Sequence, residues 1–195
     1  MSDNLILKNV SKHINPDTEE TAFFLSLLKR KTIIKKTLIL EQGQTCKYIN
    51  YVHSGALRAY CVDPEGKEST IMFAVADWWV TDMFCFLNIK PAMMYIEALE
   101  DSCIFQLSKE HLETLFIKVP KFERFFRILM QNAYTREQLR VIENLSLPAE
   151  SRYHSFLHKY PNIAKVVTQK QIASYLGITP EFLSAIRKNK KTSNS

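Results

Sequence analysis

Glycine and cysteine are both scarce, with four of each among 195 residues. So little glycine leaves no room for a phosphate loop or a glycine-rich nucleotide fingerprint, which need it where backbone comes close to phosphate. Cys46, Cys61, Cys85 and Cys103 show no two-residue spacing, which argues against a zinc site or a redox pair and for reduced, unpaired thiols. No uninterrupted run of about 18 apolar residues occurs. Met1-Ser2-Asp3-Asn4 lacks the basic-then-apolar order of a secretion signal, so a cytoplasmic location without a membrane partner is expected.

Catalytic patterns are missing as well. No Ser/His/Asp motif is recognisable, His13, His53 and His111 lie far apart, and no His-x-His occurs. A cupin-type metalloenzyme is one alternative, and it would require ligands clustered inside a β-barrel. Another is a ligand-binding or protein-binding module that does not touch DNA. Glu150, His154 and His158 recur every fourth residue, a spacing that could hold a metal, although exposed helix faces ordinarily carry such residues toward solvent. No enzyme activity, metal or cofactor is expected.

The chain is 46% hydrophobic and 24% charged, a composition that suits a soluble globular protein with one sizeable core or a medium domain plus a small one. Its formal charge of +6 is concentrated. Residues 148–195 hold eight Lys/Arg (Arg152, Lys159, Lys165, Lys170, Arg187, Lys188, Lys190, Lys191) against Glu150 and Glu181, and the rest of the chain is balanced. A polyanionic partner therefore fits only the C-terminal quarter.

All four glycines, Gly43, Gly55, Gly66 and Gly177, stand at expected turns. Around the first three run β-type segments at Thr32–Leu40, Tyr48–His53, Ala56–Val62, Ser69–Val75, Tyr95–Leu99 and Cys103–Leu107, which predict an antiparallel sandwich or barrel. Asn15-Pro16 can start a preceding helix with Phe23, Phe24, Leu27 and Leu28 on one face. After the strands the period changes to 3.6. Ser108 can cap a short helix, and Pro120 opens a long one reaching about Leu145. Phe122, Phe125, Phe126, Leu129, Met130 and Ala133 form its apolar stripe, part of which is expected to meet a second copy of the chain.

The most specific signal spans Thr168 to Lys188. Thr168-Gln169-Lys170-Gln171 fits a capping box, and Ile172, Ala173 and Leu176 form the inner face of the helix it starts. Gly177 allows the left-handed backbone that ends this helix, and Ile178 plugs the turn. Thr179 can cap a second helix with Pro180 in its first turn, and Leu183 and Ile186 point back to the first. This is the helix-turn-helix mask. Thr179, Glu181, Ser184, Arg187 and Lys188 lie on the face not used for packing. Ser184 and Glu181 are candidates for base edges, and Arg187 and Lys188 for phosphate or guanine. Gln169 and Lys170 are placed to clamp a phosphate at the start of the first helix.

The order of these features resembles the Crp/Fnr superfamily of bacterial transcription regulators over nearly the whole chain. The likeness rests on Gly43, Tyr51-Val52-His53-Ser54-Gly55, Asp63-Pro64-Glu65-Gly66-Lys67-Glu68, Glu97-Ala98-Leu99-Glu100-Asp101, a long helix, and Gln171-Ile172-Ala173-Ser174-Tyr175-Leu176-Gly177-Ile178-Thr179. The resemblance implies an α+β chain in three parts: a cyclic-nucleotide-binding-like β-roll over 1–118, a dimerisation helix over 119–146 and a DNA-binding helix-turn-helix domain over 147–195. It also implies a homodimer on a two-fold-related DNA site, with RNA polymerase and an unidentified small-molecule effector as further candidate partners.

Departures from the family pattern shape the remaining expectations. The Gly-Glu and Arg-Ser pairs that hold cyclic nucleotide in such proteins are matched by Thr81-Asp82 and Ala92-Met93. Without an arginine to neutralise phosphate, cAMP is not the expected effector. A degenerate pocket is expected at Trp79, Thr81, Asp82, Met83, Ala92 and Met93, filled by its own side chains. The cysteines do not match the N-terminal cluster that binds iron–sulfur in oxygen-sensing relatives. Ala185 stands where an arginine is usual, and the short stretch after Lys188 predicts a truncated wing.

Overall fold

The computed structural model describes residues 4–193, with side chains over 5–188. Met1, Ser2 and Asp3 and the side chains of Lys190 and Lys191, on which parts of the sequence reading fall, lie outside it. The chain opens with α1 (Asn4–Ser11) and α2 (Thr18–Ser26) and continues through β1 (Lys29–Ile33), β2 (Leu38–Leu40), β3 (Tyr48–Ser54), β4 (Ala56–Val62), β5 (Glu68–Val75) and β6 (Trp78–Val80). After α3 (Met83–Asn88) come β7 (Tyr95–Ala98) and β8 (Ser102–Ser108), and then α4 (Lys109–Lys118), α5 (Lys121–Ser146), α6 (Ala149–Lys159), α7 (Gln169–Leu176) and α8 (Pro180–Ser193). Two four-stranded antiparallel sheets, ordered β1-β8-β3-β6 and β2-β7-β4-β5, make the expected β-roll of an α+β chain.

Alternation sets the roll. Leu57 and Ala59 of β4 face a core shared with Ile49, Ile96, Ile104 and Leu107, while Ala56, Arg58 and Tyr60 fall on the other face of the strand. Gly55 joins β3 to β4 at φ 86°, and a Cβ there would lie 2.8 Å from the Asp101 carbonyl oxygen, so both conformation and space call for glycine.

Two expectations need correction. Thr32–Leu40 is not one strand: the chain turns after Ile33, passes through Lys36 at φ 68°, and changes sheets, with β1 pairing β8 and β2 pairing β7. The helix expected from Asn15-Pro16 begins instead at Asp17, whose side chain accepts from the Glu20 N–H while Glu20 accepts from the Asp17 N–H at 2.7 Å. The α5 stripe is divided. Phe122, Phe125 and Phe126 are buried in the roll's own core, and Leu129 packs against it. The apolar residues exposed on α5 are Met130 and, further along, Tyr134, Leu139, Val141, Ile142 and Leu145.

Burial raises the phenol pKa values of Tyr51, Tyr60, Tyr160 and Tyr175, and Tyr60, beside Glu97 and Glu68, is pushed up to about 12. A phenol that holds its proton more tightly when folded leaves stability unaffected below its ordinary pKa near 10, and stability falls as pH rises toward the folded value. Urea midpoints should therefore drop steeply between about pH 10 and about pH 12. A flat profile across that range would show that these phenols are not buried in solution.

Candidate nucleic-acid interface

Short-range chemistry builds the helix pair. The Thr168 hydroxyl accepts from the Gln171 N–H at 3.2 Å and the Gln171 side chain accepts from the Thr168 N–H at 2.9 Å, closing the expected capping box at the start of α7. Gly177 ends α7 at φ 66°, and the Ile178 N–H reaches back to the Ala173 carbonyl at 3.0 Å. The Thr179 hydroxyl then accepts from the Phe182 N–H at 3.2 Å, which caps α8. Ile172, Ala173, Leu176, Leu183 and Ile186 are all buried between and beneath the two helices.

The residues assigned to DNA are placed as follows. Gln169 and Lys170 are exposed on the first turn of α7; Thr179, Glu181, Arg187 and Lys188 are exposed along α8, and Ser184 is half-buried beside them. Glu181, Ser184 and Lys188 share one shallow depression with Pro180 and Ala185. Lys170, Thr179 and Glu181 also line a cleft of about 550 Å³ whose opposite wall is the β4–β5 turn with Glu65 and Glu68. Phe182, half-exposed on α8, was not singled out by sequence reasoning. Among the described residues no strand follows α8.

Sequence reasoning also missed what holds this helix pair in place. Strand β5 is the edge of its sheet, and an edge strand leaves backbone groups without strand partners. Ser174 of α7 fills that role: its hydroxyl donates to the Glu68 carbonyl at 2.7 Å and accepts from the Thr70 N–H at 2.9 Å. The Thr70 hydroxyl donates to Ser174 at 3.2 Å and accepts from Arg58 at 2.9 Å, and Arg58, 2% exposed, also pairs with Glu68 at 2.7 Å. From the other side, Arg140 of α5 donates to the carbonyls of Ile71, of Thr70 at 2.9 Å and of Tyr175 at 3.2 Å. Arg152 of α6 reaches the Leu176 carbonyl at 2.6 Å, so two guanidinium groups cap the last turn of α7. Beneath this network the rings of Phe73, Phe156, Tyr160 and Tyr175 pack with centroids 5.4–6.0 Å apart.

The polar residues expected to form a ligand pocket are bonded to the surrounding protein. Asp82, 1% exposed, accepts from the Cys85 N–H at 3.0 Å, capping α3, and from the Met93 N–H at 2.7 Å. Thr81 donates to the Tyr48 carbonyl at 2.9 Å, and the Trp79 indole donates to Asn9 at 3.2 Å. Met83 packs on the core, Ala92 is buried, and Met93 is exposed. Burial raises the pKa of the nearby Cys46 thiol. Glu150, His154 and His158 lie exposed on α6, and no group of three or more His, Cys, Asp or Glu among the described residues is arranged to hold a metal.

Residues 30–118 match the model of the cyclic nucleotide-binding domain. The chain is 25% identical over 169 residues to the regulatory protein HlyX of Actinobacillus pleuropneumoniae, covering 81% of this chain and 70% of that protein. It is 24% identical over 169 residues to the fumarate and nitrate reduction regulatory protein of Vibrio cholerae, covering 81% and 67%. The c-di-GMP responsive global regulator CLP of Xanthomonas campestris has a similar structure, with a TM-score of 0.74, 15% identity and coverage of 91% and 93%. A putative transcriptional regulator of the Crp/Fnr family from Eubacterium rectale gives a TM-score of 0.72 at 19% identity, covering 91% and 85%. The class is that of a cyclic nucleotide-binding-type β-roll joined by a long helix to a helix-turn-helix. Within it, the chain is similar to regulators of the Crp/Fnr type.

The Ser174 contacts yield a stability prediction. Ser174→Ala strips the Thr70 N–H and the Glu68 carbonyl of their partner and should lower stability by about 1–3 kcal/mol, read as a shifted urea midpoint. An unchanged midpoint would mean that α7 does not rest on β5 in solution.

Proposed function

We propose that this chain is a sequence-specific DNA-binding transcription regulator that acts as a homodimer on a two-fold-related site. The observation that carries the reading is the division of α8: Leu183 and Ile186 are buried, while Thr179, Glu181, Arg187 and Lys188 are turned to solvent on a locally basic surface. A helix so divided can enter a major groove without losing its own packing, and its polar side chains then meet base edges and phosphates. The predominance of Lys/Arg in residues 148–195 supplies the attraction to phosphate.

The dimer reading is supported by the second half of α5. Tyr134, Val141, Ile142 and Leu145 are half or more exposed on a helix of 26 residues, an apolar surface that a second copy would cover. Two copies joined there would present two α8 helices to half-sites about 34 Å apart. The division into a sensor roll over 1–118, a dimerisation helix over 119–146 and a DNA-binding domain over 147–195 is supported by two hydrophobic cores, one dominated by the roll and one by α6, α7 and α8. An effector other than cAMP is supported by Ala92, which stands where the phosphate-binding arginine would be needed, and by Asp82, whose carboxylate already accepts from the Met93 N–H. Action in the cytoplasm and contact with RNA polymerase complete the reading. No helix among the described residues is long and apolar enough to cross a membrane.

Two measurements test it. Selection from a genomic DNA library should yield one preferred two-fold motif, with Arg187→Ala and Lys170→Ala weakening all sequences alike and each lowering the salt slope by about one. Equal affinity for every sequence would remove the specific-regulator reading. Val141→Glu combined with Leu145→Glu should shift the sedimentation coefficient from dimer to monomer and weaken binding to the two-fold site by at least about tenfold. A variant that stays dimeric would move the interface off α5.

A further inference from the structure

Helices α5, α6 and α7 enclose another cleft, of about 550 Å³, which none of the residues from Thr81 to Met93 lines. Arg136, Arg140, Arg152 and Lys159 all line it, and the carboxylates that answer them are Glu143, also in the lining, and Glu137, 3.6 Å from Arg140 and 4.0 Å from Arg136. Three permanent guanidinium cations and the Lys159 ammonium against two carboxylates leave an excess of positive charge in a recess, with His158 beside it. The arrangement is costly as it stands. Burial and the neighbouring Arg136 and Arg140 lower the pKa of Lys159, against the pull of Glu137 and Glu143. The Nε–H groups of Arg140 and Arg152 are buried without a protein acceptor. The inner wall is apolar, made of Phe156, Tyr175 and Leu176, all buried.

We propose that this cleft binds a small organic phosphate, its dianionic group held by Arg136, Arg152 and Lys159 and its apolar part resting against the Phe156 and Leu176 wall. The charge excess matches a dianion, and guanidinium groups suit phosphate because their donors lie in a plane and can engage two oxygens at once. The volume lies within the range of pockets that take compact ligands, and the mixed lining of an apolar wall and convergent polar groups is typical of them. None of the residues assigned to DNA lines this cleft, so the site stands or falls independently of the DNA reading.

Calorimetric titration of the full chain without DNA, at constant ionic strength, tests the assignment with phenyl phosphate, inorganic phosphate and phenol as probes. Phenyl phosphate should saturate one site per chain with a Kd below roughly 1 mM, tighter than inorganic phosphate, and phenol should show no saturation. The pair Arg136→Gln and Lys159→Gln should weaken phenyl phosphate by at least about tenfold, each single substitution by several-fold, and Arg187→Gln on α8 should leave it unchanged. Retained circular dichroism would confirm that the variants fold. No saturable binding, or an equal loss in Arg187→Gln, would overturn the site. Equal affinity for inorganic and phenyl phosphate would overturn the organic part of the assignment.

Discussion

The rest of the molecule depends on how the free edge of β5 is satisfied. Thr70 is 1% exposed, and its N–H and carbonyl find no strand on the outer side. Unpaired backbone in such a place costs about as much as a lost hydrogen bond per group. Ser174 and Arg140 supply the partners, one from α7 and one from α5, and both attach the helix-turn-helix to the roll in a single register. The ring cluster around Phe73 adds apolar contact beneath, so polar and apolar forces favour the same position.

That edge also explains the buried Arg58. A guanidinium 2% exposed needs its charge answered, and Glu68 at 2.7 Å and Glu97 at 3.5 Å do so while the Tyr60 ring lies 4.3 Å away. The Glu68 backbone accepts from Ser174 and its side chain from Arg58. One residue of β5 thus joins the roll's ion pair to the helix pair. Removing either partner would leave a buried polar group exposed to the low dielectric around it.

Legibility in the sequence followed locality. The capping box at Thr168, the left-handed Gly177 and the Thr179-Pro180 start of α8 are determined within a few residues of one another, so spacing alone revealed the helix pair. The strands were legible because alternation is local too. Ser174 and Thr70 are 104 positions apart, and no periodic signal links them. The change of sheet between Ile33 and Leu38 was hidden because both flanking segments are β-formers and only the turn at Lys36 separates them. The short β6 and α3 are specified mainly by tertiary contacts, Trp79 against Phe125 and Phe126, and Asp82 against Met93.

Helix α5 performs three tasks along one axis, and their order is informative. Its first turns are bolted into the roll by Phe122, Phe125 and Phe126, which are nearly inaccessible to solvent. Arg140, further along, grips β5 and the end of α7 together. Between and beyond these lie the exposed Tyr134, Val141, Ile142 and Leu145. A rod of 26 residues spans about 39 Å, so it reaches from the roll's core to the end of α7. The cationic cleft sits where α5, α6 and α7 meet, and Arg140, which lines it, also holds the end of α7. Buried phenylalanines fix one end of α5, and the Arg140 and Arg152 guanidinium groups fix α5 and α6 to the end of α7.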